Sequence, residues 1–347
     1  MAPELPAVLA VDGGNSKTDV ALVAADGSLL GTARGAGATG PSEAEVAAWL
    51  EELAGLIAQL QRQAGTSGQP AARHISACVA NADLPDEVER LGAVLAARGW
   101  SQTTEARNDK FAVLRAGLDG TAAADRDAGP VPRGRHWGVG VTCGAGINCV
   151  GVHPDGRTTG YLALGVISGD WGGGGGLGMA ALWWAVRAED GRGPQTALRE
   201  AVATHFGVPS MRDVTLGLHL GKISEEALRG LAPVLLAVAN EGDEVARDLV
   251  QRQAEEICVM AVVAMRRLGL TAEPTPVVLG GGLMTARDPL LLSEIAERIT
   301  AAAPLASVSV VAVPPVAGAA LLGLDHVGAG AEAERRLRAA YDGRAWS

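Results

Sequence analysis

The segment from Asp12 to Thr18 reads DGGNSKT and joins an acidic residue to a glycine-rich turn. A carboxylate at the end of a buried strand is unfavourable unless a cation or hydrogen-bond donors meet it. The glycines let the backbone approach a ligand, and its N–H groups together with Asn, Ser and Thr side chains can surround phosphate oxygens. The segment lacks the GxxxxGK[ST] pattern, so it is not a Walker A loop. It predicts a phosphate-binding turn of another kind, with an ordinary glycine-rich hairpin as the alternative.

A second glycine-bearing hairpin, VTCGAGIN, begins at Val141 and repeats the pattern of the first. With a constant offset, Thr142 falls on Asp12 and Val150 on Val20, and each copy is followed by an Asp-Gly turn. A strand–turn–strand hairpin that occurs twice predicts two domains of the same architecture.

A third glycine run, Gly280 to Gly282, stands between a predicted strand and a predicted helix. Backbone N–H groups at a helix N-terminus favour a nucleotide phosphate or a nucleotide lying on the backbone. Three glycines alone are a weak signal, and close packing of strand against helix explains them equally well.

The elements that must position these turns are predicted from hydrophobic spacing and caps. Ser42 and Glu45 form a capping-box pattern before apolar residues at helical spacing from Val46 to Leu60. The predicted strands are 8–12, 19–24, 75–80, 277–279 and 308–313; the further predicted helices are 85–98, 108–118, 177–189, 194–206, 224–240, 243–268, 289–301 and 331–341.

Length and composition limit the classes of protein. A chain of 347 residues with 47 glycines exceeds one ordinary core and suits α/β layers in two domains, predicted as 1–122 and 123–347 with a linker at 122–135. A net charge of −10 argues against a nucleic-acid partner. Apolar stretches such as Ile257–Met265 are too short for a membrane span, which predicts no membrane association. Four cysteines without CxxC pairing predict reduced thiols in the cytoplasm, and six histidines scattered singly indicate no metal cluster.

The ordered set of motifs resembles a known family. DGGNSKTD, VTCGAGINCVGV, VVLGGGL and PPVAGAALLGL look like the two phosphate loops, the adenosine loop and the second connecting segment of the superfamily of actin, heat-shock ATPases and sugar kinases. NDKFAVLRAG and SGDWGG are similar to segments of its N-acetylglucosamine kinase and BadF-type ATPase group. The resemblance covers residues 8–324 and implies an α/β fold of two actin-like, ribonuclease H-like domains with a cleft between them.

The resemblance also implies an enzyme that uses ATP and Mg²⁺ to phosphorylate a small sugar. Asp12 would orient Mg²⁺, Asp109 would accept the proton of the attacking hydroxyl, and Asp170, Asn81 and Asn108 would lie near the sugar. The residues it assigns to ATP are Gly13, Gly14, Asn15, Ser16, Lys17 and Thr18 in the first loop, Thr142, Gly144, Ala145 and Gly146 in the second, and Gly280, Gly281 and Gly282 in the third. The family also implies a homodimer.

Two departures from the family pattern fall where the sugar would bind. Glu43 follows Gly40-Pro41-Ser42 where relatives often carry an Asn, and five glycines follow Trp171. N-acetylglucosamine and glucosamine therefore both remain candidate substrates. Two other classes stay open as alternatives: an ATPase that activates a partner protein, and a sugar-responsive regulator without catalysis.

Overall fold

The computed structural model describes residues 5–38, 42–68, 70–118 and 136–342. Strands alternate with helices in the α/β manner that the sequence predicts. The strands are β1 Val8–Gly13, β2 Lys17–Val23, β3 Leu29–Ala36, β4 Ala72–Val79, β5 Ser101–Asn108, β6 Gly138–Cys143, β7 Ile147–Val152, β8 Thr158–Gly160, β9 Pro276–Gly280 and β10 Ser307–Val310. The helices are α1 Glu43–Gln63, α2 Pro85–Ala97, α3 Asp109–Gly117, α4 Gly173–Asp190, α5 Leu198–His205, α6 Met211–His219, α7 Leu231–Asn240, α8 Glu244–Leu268, α9 Gly282–Thr285, α10 Pro289–Ala302, α11 Pro315–His326 and α12 Ala331–Tyr341.

The two sheets have the same strand order. The first runs β3-β2-β1-β4-β5 and the second β8-β7-β6-β9-β10. In the first sheet, β1 pairs antiparallel with β2 and parallel with β4, which in turn pairs parallel with β5. The hairpin repeat detected in the sequence thus lies at the same place in both sheets, β1–β2 in one and β6–β7 in the other.

Helix α1 covers one face of the first sheet. Its predicted capping box is present, because the Glu45 amide donates to Ser42 Oγ at 3.3 Å and the Ser42 amide donates to Glu45 Oε2 at 3.2 Å. The apolar residues at helical spacing along α1 are buried against strand residues such as Leu9 and Val11. This packing fixes the strands whose ends carry the predicted phosphate turn.

Contacts divide the chain into two compact units. Unit 2 is Val141–His153 and Arg157–Val310, and unit 1 holds Pro154–Gly156 with the described residues of Met1–Gly140 and Val311–Ser347. The predicted domain boundary between residues 122 and 123, and the predicted linker, lie outside the described residues. The C-terminal residues differ from the predicted grouping: α11 packs against β1 and α3, which places it in unit 1.

Four cysteines are buried and free, as the absence of CxxC pairing predicts. Within the described ranges, no helix combines the length and the apolar character that crossing a bilayer requires.

Candidate functional site

In unit 1, three predicted site residues follow the ends of neighbouring strands. Asp12 lies near the end of β1, Asn81 follows β4, and Asp109 follows β5. The register pairs Gly13 with Val79 and Val79 with Asn108, so these parallel strands end at the same level. The carboxyl edge of this sheet therefore brings Asp12, Asn81 and Asp109 together.

Asp12 is a buried carboxyl group without an ion pair of its own among the described residues. Residue Asp12 is only 9 % exposed. Burial raises the pKa of Asp12 to about 8, helped by the carboxylates of Asp109 and Asp19, while Lys17 and Arg34 oppose the rise. Both Asp19 oxygens accept hydrogen bonds from Arg34, so Asp12 is the buried oxygen donor available here. A divalent cation such as Mg²⁺ beside Asp12 would favour its ionised form.

Asp109 is the first residue of α3. The N-cap is Asn108, whose side-chain oxygen accepts a hydrogen bond from the Lys110 amide at 3.2 Å. Asp109 itself stays partly exposed. Burial, with a contribution from Asp83, raises the pKa of Asp109 to about 6, although Lys110 and the helix amides favour the charged form. A carboxylate with this pKa is ionised near neutral pH and is more basic than an ordinary aspartate.

The predicted first phosphate loop is held by side-chain amides. Asn81 adopts a left-handed backbone with φ of 63°, and its Nδ2 donates to Asn15 Oδ1 at 2.6 Å and to the Ala38 carbonyl at 3.3 Å. Asn108 Nδ2 donates to the Ala82 carbonyl and to Asp83 Oδ1. Asn108 thus positions the start of α3 and the loop after β4.

The residues of the first loop differ in access. Asn15, Ser16 and Lys17 are exposed at its tip, with Lys17 Nζ 3.5 Å from Asp19 Oδ2. Thr18 is fully buried, and its hydroxyl accepts a hydrogen bond from Trp49 Nε1 at 2.9 Å. The Thr18 side chain therefore anchors the loop to α1.

A small pocket in unit 1 lies beside Asn81, between α1, α2 and the end of β4. Its volume is about 60 Å³. The lining residues are Ala38, Glu45, Val46, Trp49, Val79, Ala80, Asn81, Ala82, Glu87, Arg90, Leu91 and Val94.

In unit 2, the predicted second phosphate loop joins β6 to β7. The Gly144 amide donates to the Gly146 carbonyl at 2.9 Å, which closes a tight turn. The amides of Gly174 and Gly175, in the first turn of α4, donate to the carbonyls of Gly144 and Ala145 at 2.7 and 2.9 Å. The glycine run after Trp171 thus packs the helix N-terminus directly on this loop.

The third glycine run packs on the same loop. Gly281 has a φ of 88°, and a Cβ at this position would lie 2.4 Å from the Cys143 carbonyl oxygen. Unit 2 therefore brings together the two predicted ATP-binding turns, at Gly144 and at Gly281, and the glycine run at the start of α4, which the sequence predicts near the sugar. The Thr142 hydroxyl is buried here with no hydrogen-bond partner in the described part of the chain.

Asp170 borders a larger pocket of unit 2. It accepts a hydrogen bond from Ser168 Oγ at 2.5 Å. The pocket has a volume of about 700 Å³ and reaches the second phosphate loop. The lining residues are Ala145, Gly146, Gly165, Val166, Asp170, Trp171, Gly172, Gly175, Gly176, Met179, Ala180, Trp183, Trp184, Leu249 and Arg252.

Sequence reasoning missed several residues that complete these sites. Gln253 Oε1 accepts the Gly173 amide at 2.8 Å, and the Arg252 guanidinium lies over the Trp171 ring at 4.1 Å. Both lie on α8, about 80 residues from their partners, and no local pattern marks them. Asp19, by contrast, stands beside Lys17 in a strand pattern, and its acidic side chain on a buried strand could have been recognised.

Curated relatives share part of this sequence. The N-acetylmuramic acid/N-acetylglucosamine kinase of Clostridium acetobutylicum is 22 % identical over 281 residues, which cover 80 % of this chain and 85 % of that protein. The N-acetyl-D-glucosamine kinase of Dictyostelium discoideum is 26 % identical over 195 residues, which cover 56 % of this chain and 61 % of that protein.

The fold is similar to solved structures. An N-acetylglucosamine kinase candidate from Chromobacterium violaceum superposes with a TM-score of 0.68 at 22 % identity, covering 91 % of this chain and 98 % of that one. This similarity and the two sheets of equal strand order confirm the predicted fold of two actin-like domains. The model of the BadF/BadG/BcrA/BcrD ATPase family matches residues 9–323, and the chain belongs to that family.

Proposed function

We propose that this protein is a sugar kinase that transfers the γ-phosphate of ATP to a hydroxyl group, O6, of N-acetylglucosamine. The observation that carries the proposal is the carboxyl edge of the first sheet. It places a partly exposed carboxyl group of raised pKa, Asp109, at the same edge as the buried Asp12 and the glycine turn that follows it. A proton acceptor, a cation ligand and a phosphate-binding turn are the parts that phosphoryl transfer requires.

Asp109 is the proposed proton acceptor. Its ionised carboxylate at the N-terminus of α3 would hold the attacking hydroxyl by a hydrogen bond and take its proton as the new O–P bond forms. Asn108 keeps the start of α3 in place through three hydrogen bonds, so its proposed role is to position Asp109 beside the sugar.

Asp12 is proposed to orient Mg²⁺ through bound water. Mg²⁺ would neutralise charge on the phosphates of ATP when bound. The exposed tip of the first loop, Asn15 to Lys17, would contact phosphate oxygens directly, with Gly14 allowing the close approach. Gly13 instead leaves room for the side chains of Val79 and Trp49 in the core. Thr18 would hold the loop in place, because its hydroxyl already accepts a hydrogen bond from Trp49.

In unit 2, the turn from Thr142 to Gly146 and the turn at Gly280–Gly282 are proposed to bind the phosphates and the adenosine of ATP. Support comes from the packing of Gly281 and the α4 N-terminus against the same loop. A Cβ atom on Gly144 or Gly146 would meet nothing within 4 Å, so a ligand has room to approach the backbone of this loop. The buried Thr142 hydroxyl without a partner in the described residues is a further candidate donor to a phosphate oxygen.

The choice of N-acetylglucosamine rests on the names of the two curated relatives. Asn81 and Asp170 are the proposed sugar ligands, since each borders a pocket in its unit. Glu43, which would favour the ammonium group of glucosamine if it faced the sugar, is an exposed residue of the first turn of α1. Its position matches an ordinary acid at a helix N-terminus and gives no support to glucosamine.

The test is ATP consumption by the purified full chain with Mg²⁺ and one sugar at a time: glucose, glucosamine, N-acetylglucosamine or N-acetylmuramic acid. We expect turnover that depends on N-acetylglucosamine, with a product that carries its phosphate on O6 by ³¹P–¹H NMR. Steady hydrolysis of ATP that no sugar stimulates would contradict the proposal and favour an ATPase that acts on a partner protein.

A further inference from the structure

Two histidines and a glutamate of unit 1 lie side by side, away from the proposed kinase residues. His74 is near the start of β4, Glu105 is on β5, and His326 is the last residue of α11. Each offers a ligand atom, and the three atoms lie within 4.8 Å of one another. The interpretation that all six histidines are scattered singly is therefore wrong for this pair, because residues 252 positions apart in sequence meet when α11 packs on the first sheet.

This cluster is separate from Asp12, which is proposed to orient Mg²⁺. His74 pairs in register with Val8 at the first residue of β1, and Asp12 follows four residues later. At about 3.3 Å per residue, the two positions are about 13 Å apart along the strands. An ion at the cluster would not replace the cation of ATP.

The hydrogen bonds around His74 fix its tautomer. Thr103 Oγ1 donates its proton to the Arg73 carbonyl, so it accepts from His74 Nδ1 at 2.9 Å. The neutral ring then carries its lone pair on Nε2, which is buried and has no hydrogen-bond partner among the residues described. Metal-binding histidines commonly donate their other N–H to a fixed acceptor in this way.

His74 is well suited to stay neutral. The residue is 1 % exposed. Burial disfavours the charged form of the ring, which leaves Nε2 as a neutral acceptor. An unpaired acceptor in such a place is unfavourable, and a bound cation would satisfy it.

Glu105 gives the cluster a negative charge, and His326 makes the cluster accessible from solvent. Glu105 Oε2 is 4.0 Å from His326 Nδ1, and Glu105 Oε1 accepts from Arg107 Nη2 at 2.5 Å. The His74 and His326 rings stack with centroids 3.9 Å apart and planes 10° apart. The lone pair of each nitrogen lies in its own ring plane, so one ion can meet both nitrogens only after the His326 ring turns out of the stack. The His326 side chain is 45 % exposed, which leaves it free to turn toward an ion that enters from solvent.

We propose that His74, Glu105 and His326 form a binding site for a divalent transition-metal ion of the Zn²⁺ class. Two imidazole nitrogens and one carboxylate oxygen are a common three-ligand set for Zn²⁺, with water in the fourth position. Imidazole nitrogens favour Zn²⁺ over Mg²⁺, which takes oxygen ligands. The bound ion would join β4, β5 and the end of α11, and it would stabilise unit 1 because it binds only the folded chain.

The test uses the chelator-treated full chain without nucleotide. Zn²⁺ is titrated against a chromophoric chelator, Co²⁺ binding is followed by visible absorption, and thermal unfolding is measured with and without Zn²⁺. We expect one equivalent of Zn²⁺, a tetrahedral Co²⁺ spectrum and a raised melting temperature. Loss of a ligand in His326→Ala or Glu105→Gln should weaken Zn²⁺ binding at least about tenfold.

The matched control is His219→Ala, because His219 is likewise an exposed histidine at the last position of its helix, α6. This variant should bind Zn²⁺ as the wild type does. Equal binding by His326→Ala and wild type, or an equal loss in His219→Ala, would overturn the site. Kinase activity is not needed for any of these readouts, so the result stands whether or not the proposed function holds.

Discussion

Gly281 lies so close to Cys143 that a Cβ atom on residue 281 would be 2.4 Å from the Cys143 carbonyl oxygen. The contact joins the turn after β9 to the end of β6, two neighbouring strands of the second sheet. The backbone of Gly281 is also left-handed, with φ of 88°. The left-handed backbone and the lack of space for a Cβ atom therefore both require glycine at position 281.

Replacement of Gly281 by Ala should destabilise the protein by at least about 2 kcal/mol, because both the left-handed backbone and the contact with Cys143 oppose a side chain. Gly282→Ala is the matched control, since nothing lies within 4 Å of its Cβ position. Thermal unfolding of the two variants measures the difference. Equal melting temperatures would contradict the tight packing of this turn.

Gly282→Ala also tests the nucleotide site. If the adenosine of ATP lies against this turn, an added methyl group should weaken ATP binding several-fold while the melting temperature of the free protein stays unchanged. Isothermal titration with a non-hydrolysable ATP analogue measures the affinity. Unchanged affinity would place the adenosine elsewhere.

Asp109→Asn should lower kcat by about 10²- to 10⁴-fold, because the amide cannot accept the proton of the sugar hydroxyl. Binding of ATP should change little. Asp86→Asn is the control, since Asp86 is also an acid in the first turn of a helix, α2, but is exposed. A kcat for Asp109→Asn within threefold of wild type would remove Asp109 from the proposed role.

The pKa of Asp109, raised by burial to about 6, predicts the pH dependence of activity. The group works as the ionised form, so kcat/KM should be constant well above pH 6 and fall about tenfold per pH unit well below it. The measurement is kcat/KM for the sugar from pH 5 to 9 at saturating Mg·ATP. A profile that stays flat down to pH 5 would contradict the assignment.

Asp12→Asn should stabilise the free protein and abolish the reaction. The pKa of Asp12 is raised to about 8 from 3.8, so the folded state binds a proton that the unfolded chain releases. The stabilising effect of that proton is complete below about pH 4 and is lost as pH rises to about 8. At pH 7 the unfolded chain has released this proton and the folded state must take it up or bury the charge, which costs at most about 4 kcal/mol of stability by linkage. The neutral amide of Asn removes part of this cost.

Thermal unfolding without nucleotide measures this effect. The melting temperature of Asp12→Asn should exceed that of wild type at pH 8, and the difference should shrink toward pH 4. A variant less stable than wild type at pH 8 would show that the carboxylate of Asp12 is already satisfied in the free protein.

Much of the fold follows from local sequence. The capping box at Ser42, the terminal helix from Ala331 and the two glycine hairpins are all where their patterns predict them. Strand β5 was missed because its sequence, SQTTEARN, has only one buried residue and so lacks an apolar run. An edge strand with one partner needs little burial, and hydrophobic periodicity cannot reveal it.

The candidate site likewise has residues that local sequence predicts and contacts that it does not. Acids and glycines at strand ends were identified from their own neighbours in sequence. Trp49 beneath Thr18, Gln253 behind Gly173 and the pairing of His74 with His326 depend on distant segments that only the folded chain brings together. These contacts determine which predicted residues are accessible and which serve as support.

The discontinuous make-up of unit 1 has a consequence for biosynthesis. Helix α11 packs against β1 and α3, yet it follows every residue of unit 2 in the chain. The ribosome therefore synthesises the whole of unit 2 before it synthesises α11, which packs on unit 1. During that interval the apolar surface of β1 and α3 that α11 later covers lacks its native partner, and shielding by a chaperone would protect the nascent chain from aggregation.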